Sequence, residues 1–129
     1  MKIHRRQDVE FVPLPPAAIT GDVEGQRAAE RPYGDRLKFH LVSFSPGGRS
    51  RWHIHPFEQG LVITSGTGIV ADENEEHVVT QGDVVIVPAG EKHWHGAGQS
   101  SAMAHLIVDA GEGETTILEP VVDIKGHEA

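Results

Sequence analysis

The chain contains nine histidines, and their spacing is the feature of the sequence best suited to chemistry. His53 and His55 are two residues apart, so on a β-strand both side chains would project from the same face. Their Cα atoms would lie roughly 6.5–7 Å apart, from where two imidazoles can meet one metal ion at about 2.1 Å each. His93 and His95 form a second His-x-His pair, and Gln59 offers an amide oxygen on a neighbouring strand. These residues predict a metal site built by more than one strand.

The elements that carry these residues are predicted to be strands. No window shows a sustained helical spacing of apolar residues, and the chain has 15 glycines and 8 prolines. Short runs of β-branched and aromatic residues recur between turn residues instead, which predicts an all-β sandwich or barrel. The first 35 residues are expected to hold only short edge strands and loops. The predicted strands are Leu37–Phe44, Ser50–His55, Gln59–Thr64, Gly68–Asp72, Glu76–Thr80, Val84–Val87, a short one at Trp94, Ala102–Val108 and a last stretch at Thr115–Ile124, with Ser65-Gly66-Thr67-Gly68 as a turn.

Composition limits the classes of function. A chain of 129 residues fits one domain, and its net charge of −8 disfavours binding to nucleic acid or to anionic lipid. No apolar run approaches the roughly 20 residues of a membrane-spanning helix. The basic N-terminus is not followed by the apolar stretch of a secretory signal, and the absence of cysteine excludes disulfides and thiolate ligands. We therefore expect a single cytoplasmic domain, residues 1–129, whose partner is a small-molecule substrate.

Two spaced motifs resemble those of the cupin superfamily. The first reads Gly47-x5-His53-x-His55-x3-Gln59-x6-Gly66, and the second reads Gly82-x5-Pro88-x-Gly90-x2-His93. Fifteen residues separate them, which is the spacing of compact bacterial cupins, and the resemblance covers residues 37–108. It implies an all-β jelly-roll β-barrel, also called a double-stranded β-helix, with one divalent metal ion inside. By position, the resemblance implies that the metal ligands are His53, His55, Gln59 and His93.

Two departures from the family pattern affect the charge and the frame of the site. Gln59 stands where the first motif usually has glutamate, and Ala97 stands where the second usually ends in asparagine. Three imidazoles and one amide are neutral, so they leave the full dipositive charge of the ion to act on an anionic ligand and on bound water. Glu58 has the opposite strand parity, and we expect an outer carboxylate or a surface residue there. Nitrogen and oxygen donors without sulfur suit Mn, Fe, Co, Ni or Zn.

Within the superfamily, the chain is similar to the small bacterial hydroxynitrile lyases. The matching segments are 52–59 (WHIHPFEQ), 82–85 (GDVV) and 90–97 (GEKHWHGA). This resemblance implies Mn as the metal, with Fe, Ni or Zn as alternatives. It implies the reversible cleavage of a cyanohydrin into an aldehyde and cyanide, in which the metal binds the hydroxyl or carbonyl oxygen. It also implies that His95 takes part in proton transfer.

Three histidines outside the ligand set are the candidate catalytic residues: His95, His40 and His105. His95 has the same strand parity as His93, and the other two face inward if their strands present them to the barrel. A histidine with a near-neutral pKa beside a metal can serve as a general acid or base. The alternative for each is a group that only orients a ligand or fills the core. Arg51 is expected near a barrel mouth in a structural ion pair.

Several functions stay open at this point. The first is a metal-dependent lyase acting on a small hydroxy or carbonyl compound, supported by Gln59 and His95. Cupins that isomerise unsaturated uronates also carry His-x-His-Pro-x-Glu-Gln, matched here by residues 53–59, so a uronate-type isomerase is a close alternative. The others are an Fe(II)-dependent dioxygenase and a non-catalytic sensor or ligand-binding protein. Alternating valines and isoleucines on outer faces, with strand-like ends, further suggest a homodimer.

Overall fold

The computed structural model describes residues 1, 3–27 and 37–119, and its regular elements are strands apart from one 3-10 turn at Arg6–Asp8. No helix in this part of the chain is long or apolar enough to cross a membrane. The end of the predicted last strand, 120–124, lies outside the described residues. The strands are β1 (Val12–Pro13), β2 (Ile19–Thr20), β3 (Val23–Arg27), β4 (Leu37–Phe44), β5 (Arg49–Ser50), β6 (His53–Ile54), β7 (Glu58–Ala71), β8 (Glu76–Thr80), β9 (Val84–Val87), β10 (Trp94–Ala97), β11 (Met103–Ala110) and β12 (Thr116–Ile117).

The long strand β7 organises the sheet. Its first half pairs with β11 and β9, and its second half pairs with β10 and β8. Eight strands of the ten-stranded sheet follow the order β1-β3-β4-β11-β7-β10-β5-β2, and the other two, β8 and β9, pair with β7 outside this order. The pairs are antiparallel, while β12 pairs separately with β6. A sheet of this length must curl, and here it takes the form of a jelly-roll barrel. The predicted all-β class is confirmed.

The turn predicted around Gly66 is instead a bend within one long strand, β7. The sequence suggested two strands, whereas the structure has one, Glu58–Ala71. Gly66 has a φ of 73°, a conformation that glycine adopts without steric penalty. Pairing continues on both sides of it, because Gly66 lies opposite Met103 on β11 and Thr67 lies opposite Thr80 on β8. The glycine therefore bends the strand without ending it, and β7 passes from one set of neighbours to the other.

The predicted strand Ser50–His55 is divided into β5 and β6. Arg51 and Trp52 leave the ladder between them, and their backbone N–H groups donate elsewhere. The N–H of Arg51 donates to the carbonyl of Ala18 over 2.8 Å, and that of Trp52 donates to a carboxylate oxygen of Glu119 over 3.1 Å. Since a buried N–H must find an acceptor, these two bonds make the interruption stable.

Side chains alternate along the strands, so one face of each fills the barrel. Val42 and Phe44 on β4 and Leu61 and Ile63 on β7 are buried in this way. Gln59 has the same parity as Leu61 and is buried with it. The apolar core consists of Ile19, Val23, Val42, Phe44, Leu61, Ile63, Val70, Val79, Val87, Ala97 and Met103.

Gly66→Ala should destabilise the fold more than Gly82→Ala. Both glycines have positive φ, 73° and 94°, so a Cβ at either position adds backbone strain. Among the described residues nothing lies within 4 Å of a Cβ built at Gly82, whereas at Gly66 the carbonyl oxygen of Ala102 occupies that space. Urea denaturation should show a loss of about 1–2 kcal/mol for Gly82→Ala, and at least about 1 kcal/mol more for Gly66→Ala. Equal losses would contradict the steric account of the bend.

Candidate metal centre

Two segments far apart in sequence bring His53 and His93 side by side. The N–H of each donates to the carbonyl of the other over 3.0 Å, and the ring centroids are 4.2 Å apart. The N–H of Gly90 donates to the carbonyl of His55 over 2.9 Å. The ring of His55 consequently lies 4.9 Å from that of His93 and 5.7 Å from that of His53. The three buried imidazoles form one cluster, to which both sequence motifs contribute.

Backbone carbonyls fix which nitrogen of each imidazole carries the proton. Nδ1 of His53 lies 2.6 Å from the carbonyl of Arg51, Nδ1 of His55 lies 3.0 Å from that of Phe57, and Nδ1 of His93 lies 2.9 Å from that of Glu91. A carbonyl only accepts, so each Nδ1–H must be the donor. In the neutral ring Nε2 then keeps its lone pair, which is the arrangement that metal-ligating histidines use.

The three histidines could hold a metal ion. One nitrogen from each of His53, His55 and His93 lies within 4.8 Å of the other two. Burial, reinforced by the charge of the neighbouring His53, lowers the pKa of His93 to about 3, and burial also lowers the pKa of His53. These rings are therefore neutral near pH 7, as a ligand must be. Nε2 of His55 and of His93 are buried without a hydrogen-bond partner among the described residues, which fits a metal-binding role.

Gln59 on β7 offers a further buried amide oxygen. Its Nε2 donates to Oδ1 of Asp109 over 3.0 Å. A carboxylate only accepts, so the amide nitrogen must be on that side and the oxygen on the other. Oε1 is buried and, within the described part of the chain, has no hydrogen-bond partner. The preceding residue, Glu58, is exposed.

His95 and His105 form a buried pair next to the cluster. Nε2 of His105 lies 2.8 Å from Nδ1 of His95, and the His95 ring lies 5.4 Å from that of His53 and 5.5 Å from that of His93. Burial, together with the charges of nearby histidines, holds the pKa of His95 well below its ordinary value. Burial lowers the pKa of His105 to about 4. Nε2 of His95 finds no hydrogen-bond partner among the residues described.

His40 lies on β4, opposite Ile107 of β11. It is half-buried on β4 and lies against Gly25 of β3, where a Cβ would overlap its imidazole. Its charge contributes to the lowered pKa of His105, which places it near that residue. The structure thus brings His95, with His105 hydrogen-bonded to it, to the imidazole cluster.

A clasp around Glu119 holds the strand that carries His53. The carboxylate of Glu119 forms ion pairs with Arg49 over 2.9 Å and with Arg51 over 3.3 Å, and it accepts the N–H of Trp52. Arg51 is buried and in an ion pair, as its expected structural role requires. Its carbonyl accepts the Nδ1–H of His53, so the clasp is connected directly to the cluster. Sequence reasoning did not identify Glu119.

Asp109 was also missed, although a signal for it exists. It is four residues after His105 on β11, so strand alternation puts both on the same face. Its cross-strand neighbour on β7 is Gln59. The parity argument that placed His105 inward therefore extends to Asp109.

Comparison with known proteins agrees with this geometry. A family model described as a cupin domain matches residues 40–109. The curated protein (R)-mandelonitrile lyase from Granulicella tundricola is 47% identical over 70 residues, which make up 52% of this chain and 52% of that protein. The chain therefore spans about half the length of this relative.

Solved structures agree over most of the chain. A cupin-like protein from Thermotoga maritima is 28% identical with a TM-score of 0.79, covering 90% of this chain and 92% of that one. The polyketide cyclase RemF from Streptomyces resistomycificus has a TM-score of 0.81 at 21% identity, over 92% of this chain and 86% of its own, and this likeness concerns the fold alone. Since the family model matches more than half of the chain, and the barrel and histidine cluster agree with it, the chain belongs to the cupin superfamily.

Proposed function

We propose that the chain is a metal-dependent cupin enzyme of the lyase type, which holds one divalent metal ion. The ligands in this proposal are the imidazoles of His53, His55 and His93 and Oε1 of Gln59. The observation that supports it most directly is the set of buried acceptors without a hydrogen-bond partner among the described residues: Nε2 of His55, Nε2 of His93 and Oε1 of Gln59. Buried polar atoms in folded proteins are nearly always paired, so these unpaired acceptors favour a bound cation as their missing partner.

The family resemblance favours manganese, which the donor set can bind. Imidazole nitrogen and amide oxygen suit several divalent metals, among them Mn, Fe, Ni and Zn, and do not select one. The similarity to hydroxynitrile lyases supports Mn. When bound, such an ion polarises a hydroxyl or carbonyl oxygen of the substrate and stabilises negative charge on it.

The proposed reaction is the cleavage of a cyanohydrin, with His95 as the proton carrier. The curated relative is named for mandelonitrile, a compound of this class. Nε2 of His95 accepts the hydroxyl proton, the oxygen electron pair forms the carbonyl double bond, and the bond to the cyano carbon breaks. Cyanide leaves with the electron pair of the broken carbon–carbon bond and takes the proton from His95. An aldehyde and hydrogen cyanide result.

His105 is the proposed positioning residue for this step. Nδ1 of His95 and Nε2 of His105 are 2.8 Å apart. In the proposed tautomer the Nδ1–H of His95 is the donor, which leaves the lone pair on Nε2 of His95 free to accept the substrate proton. Burial, together with the nearby histidines, lowers the pKa of His95, so the ring is neutral before it accepts the proton.

His55→Ala should abolish stoichiometric metal binding, and His77→Ala should not. His55 contributes one of the converging nitrogens, whereas His77 is exposed on β8. Plasma mass spectrometry of untagged protein should find roughly one divalent metal per chain in the wild type and in His77→Ala, since one ion fits this donor set. Full metal content in His55→Ala, or none in reconstituted wild type, would contradict the proposed site.

His95→Ala should keep its metal and lose turnover. Removal of a general base typically lowers the rate by about 10²–10⁴-fold, and we expect kcat/KM for (R)-mandelonitrile to fall by that amount. Benzaldehyde release, followed by ultraviolet absorbance, measures it, with His77→Ala as the control. Undiminished turnover would remove His95 from the mechanism. Loss of metal would instead make His95 a ligand and exchange its role with that of His93.

Three assays on the purified protein distinguish the alternative functions. Oxygen consumption by the Fe(II)-loaded form with a candidate substrate would favour a dioxygenase. Turnover of an unsaturated uronate in place of a cyanohydrin would favour the isomerase related by residues 53–59. Tight binding of a small molecule without conversion would favour a sensor.

We also propose that the chain forms a homodimer through the surface of β8 and β9. Val78, Val84 and Ile86 are exposed there by 76%, 62% and 60%, and the two strands line one open cleft of about 420 Å³. Exposed apolar groups concentrated in one region favour association. Size-exclusion chromatography with light scattering should give twice the 14.0 kDa of one chain, and Val84→Glu with Ile86→Glu should give the monomer. A monomeric wild type would contradict this proposal.

A further inference from the structure

Asp109 lies directly behind the proposed oxygen ligand. It is next to last on β11 and is the cross-strand neighbour of Gln59 on β7. The irregularity in the pairing of these strands falls between Ala104 and His105, so the register from His105 to Asp109 is continuous. Oδ1 of Asp109 accepts the Nε2–H of Gln59 over 3.0 Å. Asp109 is half-buried, at the end of the inward face that carries His105.

This hydrogen bond decides which end of the amide faces the cavity. The two ends of a glutamine side chain have the same shape, but one donates and the other accepts. Only the oxygen can bind a cation. A carboxylate at Asp109 accepts the NH2 group and cannot donate to the oxygen, so it selects the orientation in which Oε1 is the buried, unpaired atom. An apolar residue at position 109 would remove that selection.

The carboxylate also supplies charge that the ligand set lacks. The four proposed donors are neutral, because the usual glutamate is replaced by Gln59. A hydrogen bond from the amide NH2 to a negative group polarises the amide and increases the electron density on its oxygen. The negative charge then lies one residue away from the proposed ion instead of on a ligand.

A purely structural role for Asp109 is the competing interpretation. Its other cross-strand neighbour is Lys38 on β4, and opposite charges in that position stabilise a sheet modestly. Such a pair would affect the free energy of unfolding of the metal-free protein. It would not act through Gln59, and this difference makes the two interpretations separable.

We propose that Asp109 is the positioning residue for Gln59, which orients Oε1 toward the cation and raises the affinity of the site for it. The inference rests on the proposed metal-binding function. Its chemistry is that of an outer carboxylate acting through a neutral amide ligand. Loss of such an outer partner typically lowers metal affinity by about 10–100-fold.

The test measures Mn²⁺ affinity by isothermal titration calorimetry in Asp109→Leu, Asp109→Asn and Glu58→Gln. Asp109→Leu should weaken Mn²⁺ binding by about 10–100-fold. Asp109→Asn keeps an acceptor for Nε2 of Gln59 but removes the charge, so its loss should be smaller. Glu58→Gln removes the same charge from the neighbouring exposed residue and should bind like the wild type. Wild-type affinity in Asp109→Leu would overturn the inference.

A double-variant cycle tests whether Asp109 acts through Gln59. If it does, Asp109→Leu should cause no further loss of affinity in a Gln59→Ala background, because the group that it orients is gone. The visible absorption of the Co²⁺-loaded protein should change in Asp109→Leu and remain closer to that of the wild type in Asp109→Asn. An equal loss with and without Gln59 would overturn the positioning role.

The outcomes distinguish this inference from the proposed function. A wild type that binds no Mn²⁺ overturns both. A wild type that binds Mn²⁺ with unchanged affinity in Gln59→Ala removes Gln59 from the ligand set, and the role of Asp109 with it. Weakened binding in Gln59→Ala together with full affinity in Asp109→Leu leaves the metal site standing and overturns only the inference. Thermal unfolding of the metal-free variants shows whether each is folded.

Discussion

The two reciprocal backbone hydrogen bonds between His53 and His93 set the geometry on which the rest of the site depends. They join the segment of β6 to the residue before β10, next to the antiparallel pair of β5 and β10, and they fix the register between the two segments. A slip of one residue would turn a side chain from the barrel interior to its outside, so the register decides whether the imidazoles meet. The bond from Gly90 to the carbonyl of His55 extends the same frame to the third histidine. Because all three bonds are between backbone atoms, the frame does not depend on the side chains that it presents.

That frame makes it possible to bury several histidines together. Their Nδ1–H groups donate to carbonyls two residues away in the chain, which satisfies one nitrogen of each ring locally. The second nitrogen of His55 and of His93 is left without a partner among the described residues, and such an atom destabilises a fold by about 1–3 kcal/mol. The packing of the barrel around them offsets this destabilisation. A ligand that satisfies those nitrogens would bind the folded state alone and add to its stability.

Alternation along strands made much of this predictable. Runs of β-branched and aromatic residues between turn residues gave β4, β8 and β9 with their observed bounds, and alternation placed Gln59 with the buried residues of β7. Other features depend on contacts that alternation does not encode. The bend at Gly66 looks like a turn until the strands on either side are known to pair. Glu119 is 68 residues after Arg51 in the chain, and no local sequence pattern identifies an ion pair between residues so far apart. The parity of Asp109 was readable, but its neighbour Gln59 was not, since an irregularity in the β7–β11 pairing sets their register.

Asp109 and Glu119 are both connected to the donor groups through another residue. Asp109 acts on the cavity through the amide of Gln59, and Glu119 acts through Arg51, whose carbonyl holds the ring of His53. In an acidic chain of net charge −8, negative groups are thus kept one residue behind the donor atoms. A carboxylate among the ligands would neutralise part of the charge of a bound cation directly. Placed behind a neutral donor, it strengthens the donor while the open side of the cation keeps a stronger field for a developing oxyanion or a departing anion. That division of charge is what the proposed cleavage of a cyanohydrin requires.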